Sequence, residues 1–307
     1  MKKNIFMMLL LTGAILSITM GFTRLHKKMD STPPRLNIKD LQEQGIIIIA
    51  PSDPAFDALS APLLRGTSSS VIEALRPYSV FVKNRNAKTV VACLLKWEMV
   101  RPNGTVKIET TGFVTLWRLM NQGASGIGEY SIKPEAAWFF SPSSIDINQD
   151  PSMAEAQVNP PSLEPSQERM QTEYLRKLTE RLRQYASITV SVDGVFFDDG
   201  TFIGPNSTHF FEMVEASRNA RRDLFRGVGL EINKGRHLDE IFKSLEELAR
   251  QSEVKLNQDS TSADFYSHYK KRVAEEVLHM RQTAGDERTK EFMMEPLRKQ
   301  WIELKKN

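Results

Sequence analysis

A single cysteine, Cys93, in 307 residues excludes any internal disulfide and leaves no thiolate set for a structural zinc site. An excess of one charge is missing as well. The chain has 41 Lys and Arg against 38 Asp and Glu, and five of the basic residues, Lys2, Lys3, Arg24, Lys27 and Lys28, stand in the first 28 positions without an acid. The remaining 36 bases face 38 acids, so the body carries no field that would hold a nucleic-acid backbone. Nucleic acid is excluded as a partner, and partners must be selected by shape and local contacts. With 16 Gly, 15 Pro and 40% hydrophobic residues, the chain is neither collagen-like nor compositionally disordered. It is long enough for one or two domains with a core.

Long apolar runs are absent except for one. Lys2 and Lys3 precede an uncharged, mostly apolar stretch from Ile5 to Phe22, the pattern of a secretory signal. At about 1.5 Å per residue this run spans roughly 27 Å as a helix, near the lower limit for crossing a bilayer. The Thr19-Met20-Gly21 triplet offers a cleavage site, and the basic flank Arg24, Lys27, Lys28 resembles that of a retained anchor. The expectation is an exported protein, anchored in the membrane through residues 5–22 with its body outside the cytoplasm, or secreted or periplasmic if residues 1–21 are removed.

Residues 29–76 are rich in Pro and Ser around the short apolar run Ile46 to Ile49 and read as a spacer with one strand. Period-two alternation then begins. Tyr78, Val80 and Val82 alternate with Ser79, Phe81 and Lys83; Val91, Cys93, Leu95, Trp97 and Met99 line one face of the next run. A hairpin through Asn84-Arg85-Asn86 is the simplest connection. Further strands are expected at Val106–Thr110, Phe113–Met120 and around Tyr130–Phe140. The pair Ile188–Val192 and Phe202–Ile203, joined by Asp198-Asp199-Gly200, is expected as another hairpin. The pattern predicts an α+β protein whose residues 77–205 form an antiparallel, immunoglobulin-like β-sandwich with Trp97 in a central strand. That likeness is architectural and implies no function. Residues 145–184 read as an insertion, a Pro-rich loop followed by a helix with Met170, Tyr174, Leu178 and Leu182 on one stripe.

From residue 206 the period becomes helical. Leu238, Ile241, Leu245 and Leu248 form one stripe, and Tyr266, Tyr269, Val273, Val277 and Met280 another. Gly227, Gly229 and Gly235 are expected to separate the first helix from the second, and Pro296 to start a last helix through Trp301 and Leu304. Residues 206–307 thus read as a module of three or four helices.

No motif assigns a reaction or a cofactor. Asp193, Asp198 and Asp199 could supply oxygen ligands to Ca²⁺, although Asp and Gly are also what the turn needs. His268, Glu275 and His279 fall on one side of a helix and could hold zinc, but lack the His-x3-His spacing of a metalloprotease. Gly123-Ala124-Ser125-Gly126-Ile127-Gly128 is glycine-dense without the Lys-Ser or Lys-Thr of a phosphate loop, and Ile127 stands where a nucleophile elbow needs glycine. Asn103 and Asn206 head glycosylation-type triplets. The adjacent Trp138, Phe139 and Phe140 cannot all face one side of a strand, which makes them candidates for contact with another element or another protein. The expected function is a non-enzymatic protein-interaction module. The alternatives are an extracytoplasmic metal-dependent hydrolase or a structural part of a cell-envelope assembly.

Overall fold

The Val, Ile and Phe alternation of the middle of the chain builds two sheets, and the helical stripes of the last third build a bundle beside them. The structure is a computed structural model that describes residues 33–63, 69–120, 130–142, 165–257, 259–298 and 301–307. Pro34–Asn307 form one compact unit of mixed α+β architecture. The strands are β1 (Arg35–Lys39), β2 (Ile46–Ile49), β3 (Val80–Asn84), β4 (Val90–Val100), β5 (Val106–Val114), β6 (Ala137–Phe140), β7 (Ser187–Phe197), β8 (Thr201–Ile203) and β9 (Lys305–Lys306). The helices are α1 (Pro54–Ser60), α2 (Ser69–Leu75), α3 (Leu116–Leu119), α4 (Pro165–Leu182), α5 (Phe210–Asn233), α6 (Leu238–Ala249), α7 (Ser262–Ala284) and α8 (Asp286–Met294).

One sheet runs β5-β4-β7-β8-β9, with β1 also paired to β7; the other runs β2-β3-β6. Most pairings are antiparallel, whereas β1 with β7 and β8 with β9 are parallel. Period two decides which side chains the first sheet turns inward: Cys93, Leu95, Trp97 and Met99 of β4 share one apolar cluster with Ile188, Val190 and Val192 of β7. Ile46, Val80, Phe81, Val82 and Phe139 of the second sheet belong to that same cluster. On the opposite face, at one end, Val91, Ala92, Phe196 and Phe202 pack with Phe210 and Val214 of α5. The other half of α5, through Leu224, Phe225 and Val228, meets Ile241, Phe242 and Leu245 of α6, Val273 and Val277 of α7 and Met293 of α8.

Several expectations are corrected. Asn84-Arg85-Asn86 does not join a hairpin: β3 and β4 lie in different sheets, and the buried Asn84 organises the crossing by donating to the carbonyls of Lys88 (2.8 Å) and Ile132 (2.9 Å). The spacer contains two strands and two short helices rather than one strand. The expected breaks near 111–112 and in 113–120 fall elsewhere, because β5 runs unbroken to Val114 and α3 follows. Helix α5 continues through Gly227 and Gly229, and the close approach of Leu297, 3.1 Å from a Cβ placed at Gly229, explains why glycine is tolerated there. Pro296 lies inside the 3₁₀ turn Glu295–Arg298, and the described residues beyond it, 301–307, are extended, not helical. The buried stripe of α4 is Leu175, Leu178 and Leu182, with Tyr174 exposed. Among the described residues no helix is long and apolar enough to cross a membrane, so no spanning helix is found there, and the expected signal or anchor segment falls outside them. Residues 5–22 and 123–128, like most of the loop before α4, lie outside the described residues.

Gly112 sits where β5 crosses β4, and a Cβ there would stand 2.2 Å from the Cys93 carbonyl oxygen. Because that neighbour is backbone, it cannot swing aside. Gly112→Ala is expected to destabilise the fold by about 2 kcal/mol in urea unfolding, the range of an overpacked core.

Candidate functional site

The residues singled out by chemistry in the sequence are mostly committed elsewhere. The Asp193 carboxylate is buried and accepts four hydrogen bonds, from the Ser207 backbone N–H (2.8 Å) and hydroxyl (2.5 Å) and the Thr208 N–H (3.1 Å) and hydroxyl (2.5 Å). Asp199 is 2.7 Å from Lys88 Nζ and accepts from the Thr201 N–H, while Asp198 is exposed. The three aspartates therefore hold a loop and a turn in place. On α7, Glu275 pairs with Arg272 (3.2 Å), His268 Nδ1 lies 3.3 Å from the Val254 carbonyl, and His279 is exposed. Among the described residues no three His, Cys, Asp or Glu side chains gather to hold a metal ion. Burial pushes the Cys93 thiol up to about 12, so it stays protonated and is no nucleophile near neutrality. Asn206 is nearly buried in the turn before α5, where its amide donates to Glu212 (2.7 Å) and its carbonyl accepts from the Phe211 N–H (2.7 Å).

The aromatic triplet is packed. Phe139 faces Phe81 (5.4 Å between centroids) on one side of β6. Trp138 and Phe140 share the other side, where both meet Phe113 at 5.3 and 6.3 Å. Phe139 and Phe140 are buried and Trp138 is half-buried, so these rings serve the core first.

The site that chemistry leaves open lies between α5 and the C-terminal tail. A helix period of 3.6 places Arg218, Arg222 and Arg226 one turn apart on the same face of α5. Opposite them run Leu297, Trp301, Glu303 and Leu304, and together with Glu215 and Asn219 these residues line a groove of about 560 Å³. The tail is stitched down to form that wall. Lys305 N–H donates to the Gly200 carbonyl (3.0 Å), Lys306 Nζ reaches Glu212 (3.2 Å), and the Trp301 indole donates to the Pro296 carbonyl (3.0 Å). Gly200 has a φ of +84°, and a Cβ there would lie 2.2 Å from the Glu303 carbonyl oxygen, so the turn admits the tail only as glycine.

Arg218 is the unusual member. The residue is 8% exposed, it donates to the Ile302 carbonyl and stands 5.4 Å from the centre of the Trp301 ring, yet among the described residues its Nε–H has no acceptor. Burial and the neighbouring Arg222 charge push its guanidinium down to about 10, outweighing the opposing pull of Glu215.

No protein-family model, no curated protein and no solved structure matches this chain.

The groove therefore has to be read from its own geometry. Arg226 is exposed and makes no ion pair among the described residues, and Arg222 pairs only with Asp223, its neighbour, at 3.4 Å. Three arginines on one side face a wall that is partly apolar, an arrangement suited to a carboxylate carried on a hydrophobic stem. The spacing of four between these arginines was present in the sequence. It lacked the second half of the signal, the tail that returns from residues 297–304 to close the groove.

Replacing Asp193 by Ala leaves four donors around Ser207 and Thr208 without their acceptor, so the variant is expected to lose about 3 kcal/mol of stability. Urea unfolding of Asp193→Ala measures this, and an unchanged midpoint would contradict the role given to the carboxylate.

Proposed function

We propose that this protein is a non-enzymatic binding module whose groove between α5 and the tail takes a carboxylate-bearing segment of another protein. The observation that supports it is Arg218, a buried cation that lines the groove and whose Nε–H has no acceptor among the described residues. Leaving a buried donor unsatisfied is costly, and an arriving carboxylate oxygen would remove that cost while restoring the proton affinity of the guanidinium. Trp301 and Leu297 offer apolar surface for the stem of the same ligand. The finer architecture belongs to this proposal. We read the two sheets that share one core as an immunoglobulin-like sandwich, modified by the parallel β1–β7 and β8–β9 pairs, with α5 and the tail added as the binding face.

Calorimetric titration with two short peptides that differ only in Glu against Gln tests this reading. The Glu peptide is expected to bind, and Arg226→Gln, an exposed change, to weaken it about tenfold, the loss of one charge-assisted contact. Equal binding of the Gln peptide, or no binding of either, would contradict it. The pH dependence follows from Arg218. The cation is the binding form and its folded pKa lies near 10, so affinity is flat through neutrality and falls as the pH rises through about 10. A fall between pH 6 and 8 would assign the site to another group.

A further inference from the structure

A second feature stands apart from the groove. Strand β5 has β4 on one side and, among the described residues, no strand on the other. Which of its backbone groups face outward can be worked out from the register. β4 and β5 pair antiparallel with a constant offset from Ala92 opposite Val114 to Val100 opposite Val106. Just beyond the two ends of the ladder, the Thr115 N–H donates to the Val91 carbonyl (2.8 Å) and the Arg101 N–H to the Thr105 carbonyl (2.9 Å), and both pairs keep that offset. Hydrogen-bonded pairs alternate along an antiparallel ladder, so the odd-numbered residues of β5 are spent on β4. The N–H and C=O groups of Val106, Ile108, Thr110, Gly112 and Val114 therefore point away from the sheet.

The outward residues at the start of the strand are also the apolar ones in solvent: Val106 is 50% exposed and Ile108 41%. An open edge of this kind is a template for another strand. What selects the occupant is the charge pattern, because Lys107 and Glu109 flank Ile108 on the same face. When β5 pairs antiparallel with a second β5 about a two-fold axis at Ile108, each Lys107 stands opposite the other chain's Glu109 and Val106 stands opposite Thr110. The backbone phase is right for this register, since Ile108 and its equivalent both present outward groups. Moving the axis to Glu109 or to Lys107 sets like charges opposite each other, and moving it to Thr110 puts Lys107 against Phe113. We propose that this chain forms a two-fold dimer by pairing β5 with β5 at Ile108, which extends the larger sheet across both copies and buries Val106 and Ile108. It stands independently of the arginine groove.

Sedimentation velocity of the full chain over a range of concentrations tests it with charge reversals at two solvent-accessible positions. The wild type is expected to associate to a dimer. Lys107→Glu and Glu109→Lys should each weaken association at least about tenfold, because each places like charges opposite in the two-fold register. An equimolar mixture of the two variants should restore it. One variant then carries carboxylates at both positions and the other carries ammonium groups at both, so every cross-strand pair about the axis joins opposite charges. Circular dichroism of each variant checks that the fold is retained. A wild type that stays monomeric, or a dimer that neither reversal weakens, or variants whose mixture fails to recover, would overturn the proposal.

Discussion

Both apolar cores that α5 enters are positioned by the way its first turn is held. The Asp193 carboxylate, buried in the middle of β7, takes both backbone and hydroxyl donors of Ser207 and Thr208, and so fixes the loop that launches the helix at Phe210. From there α5 runs 24 residues, about 36 Å. Its first turns are held by Phe196 and Phe202 of the sheet, with ring centroids 5.9 and 6.4 Å from Phe210. Its last turns form the centre of the helical cluster with α6, α7 and α8. One helix thus serves two cores, and a shift at its start would be carried into both.

The same helix makes the groove. Its inner faces are apolar, its remaining face carries Arg218, Arg222 and Arg226, and the tail lies against that face because β9 adds to β8 and Leu304 joins the aromatic cluster under Phe210. Elsewhere charges are largely paired: Arg281 with Asp239 and Asp286, Arg272 with Glu253 and Glu275, Arg176 with Glu173 and Glu180. Such exposed pairs add little stability individually. Against that background the Arg218 Nε–H is a buried cationic donor without an acceptor among the described residues.

What could be read from the sequence followed the range of the interactions involved. The hairpin at Asp198-Asp199-Gly200 and the stripe of α6 are set by neighbours a few residues away and are present in the fold, whereas of the α7 stripe only Val273 and Val277 are buried, with Tyr266, Tyr269 and Met280 partly exposed. The α+β class followed from the change of period. By contrast, β1 finds its partner in β7, with Arg35 opposite Ser187, and nothing local marks a Pro-rich segment as a strand of that sheet. The assignment of β3 and β4 to different sheets is equally non-local, since alternation says which face is buried but not which strand lies alongside. Glycine misled at Gly227 and Gly229, where its intrinsic helix penalty of about 1 kcal/mol is outweighed by packing along the rest of α5. The aspartates were visible as a cluster in sequence, yet β7 separates them: Asp193 faces the loop before α5, and Asp199 lies at the turn with Lys88.

Sheets and helices form one cooperative unit joined through α5, and they should unfold together. With Trp117 and Trp301 replaced by Phe, Trp97 and Trp138 report on the sheet core by fluorescence, and the helices report by far-ultraviolet circular dichroism. Followed through one urea titration, the two signals should give a single coincident transition with the same midpoint and slope. Two separated transitions, with helices melting while Trp97 stays buried, would show that α5 does not bind the two cores into one fold.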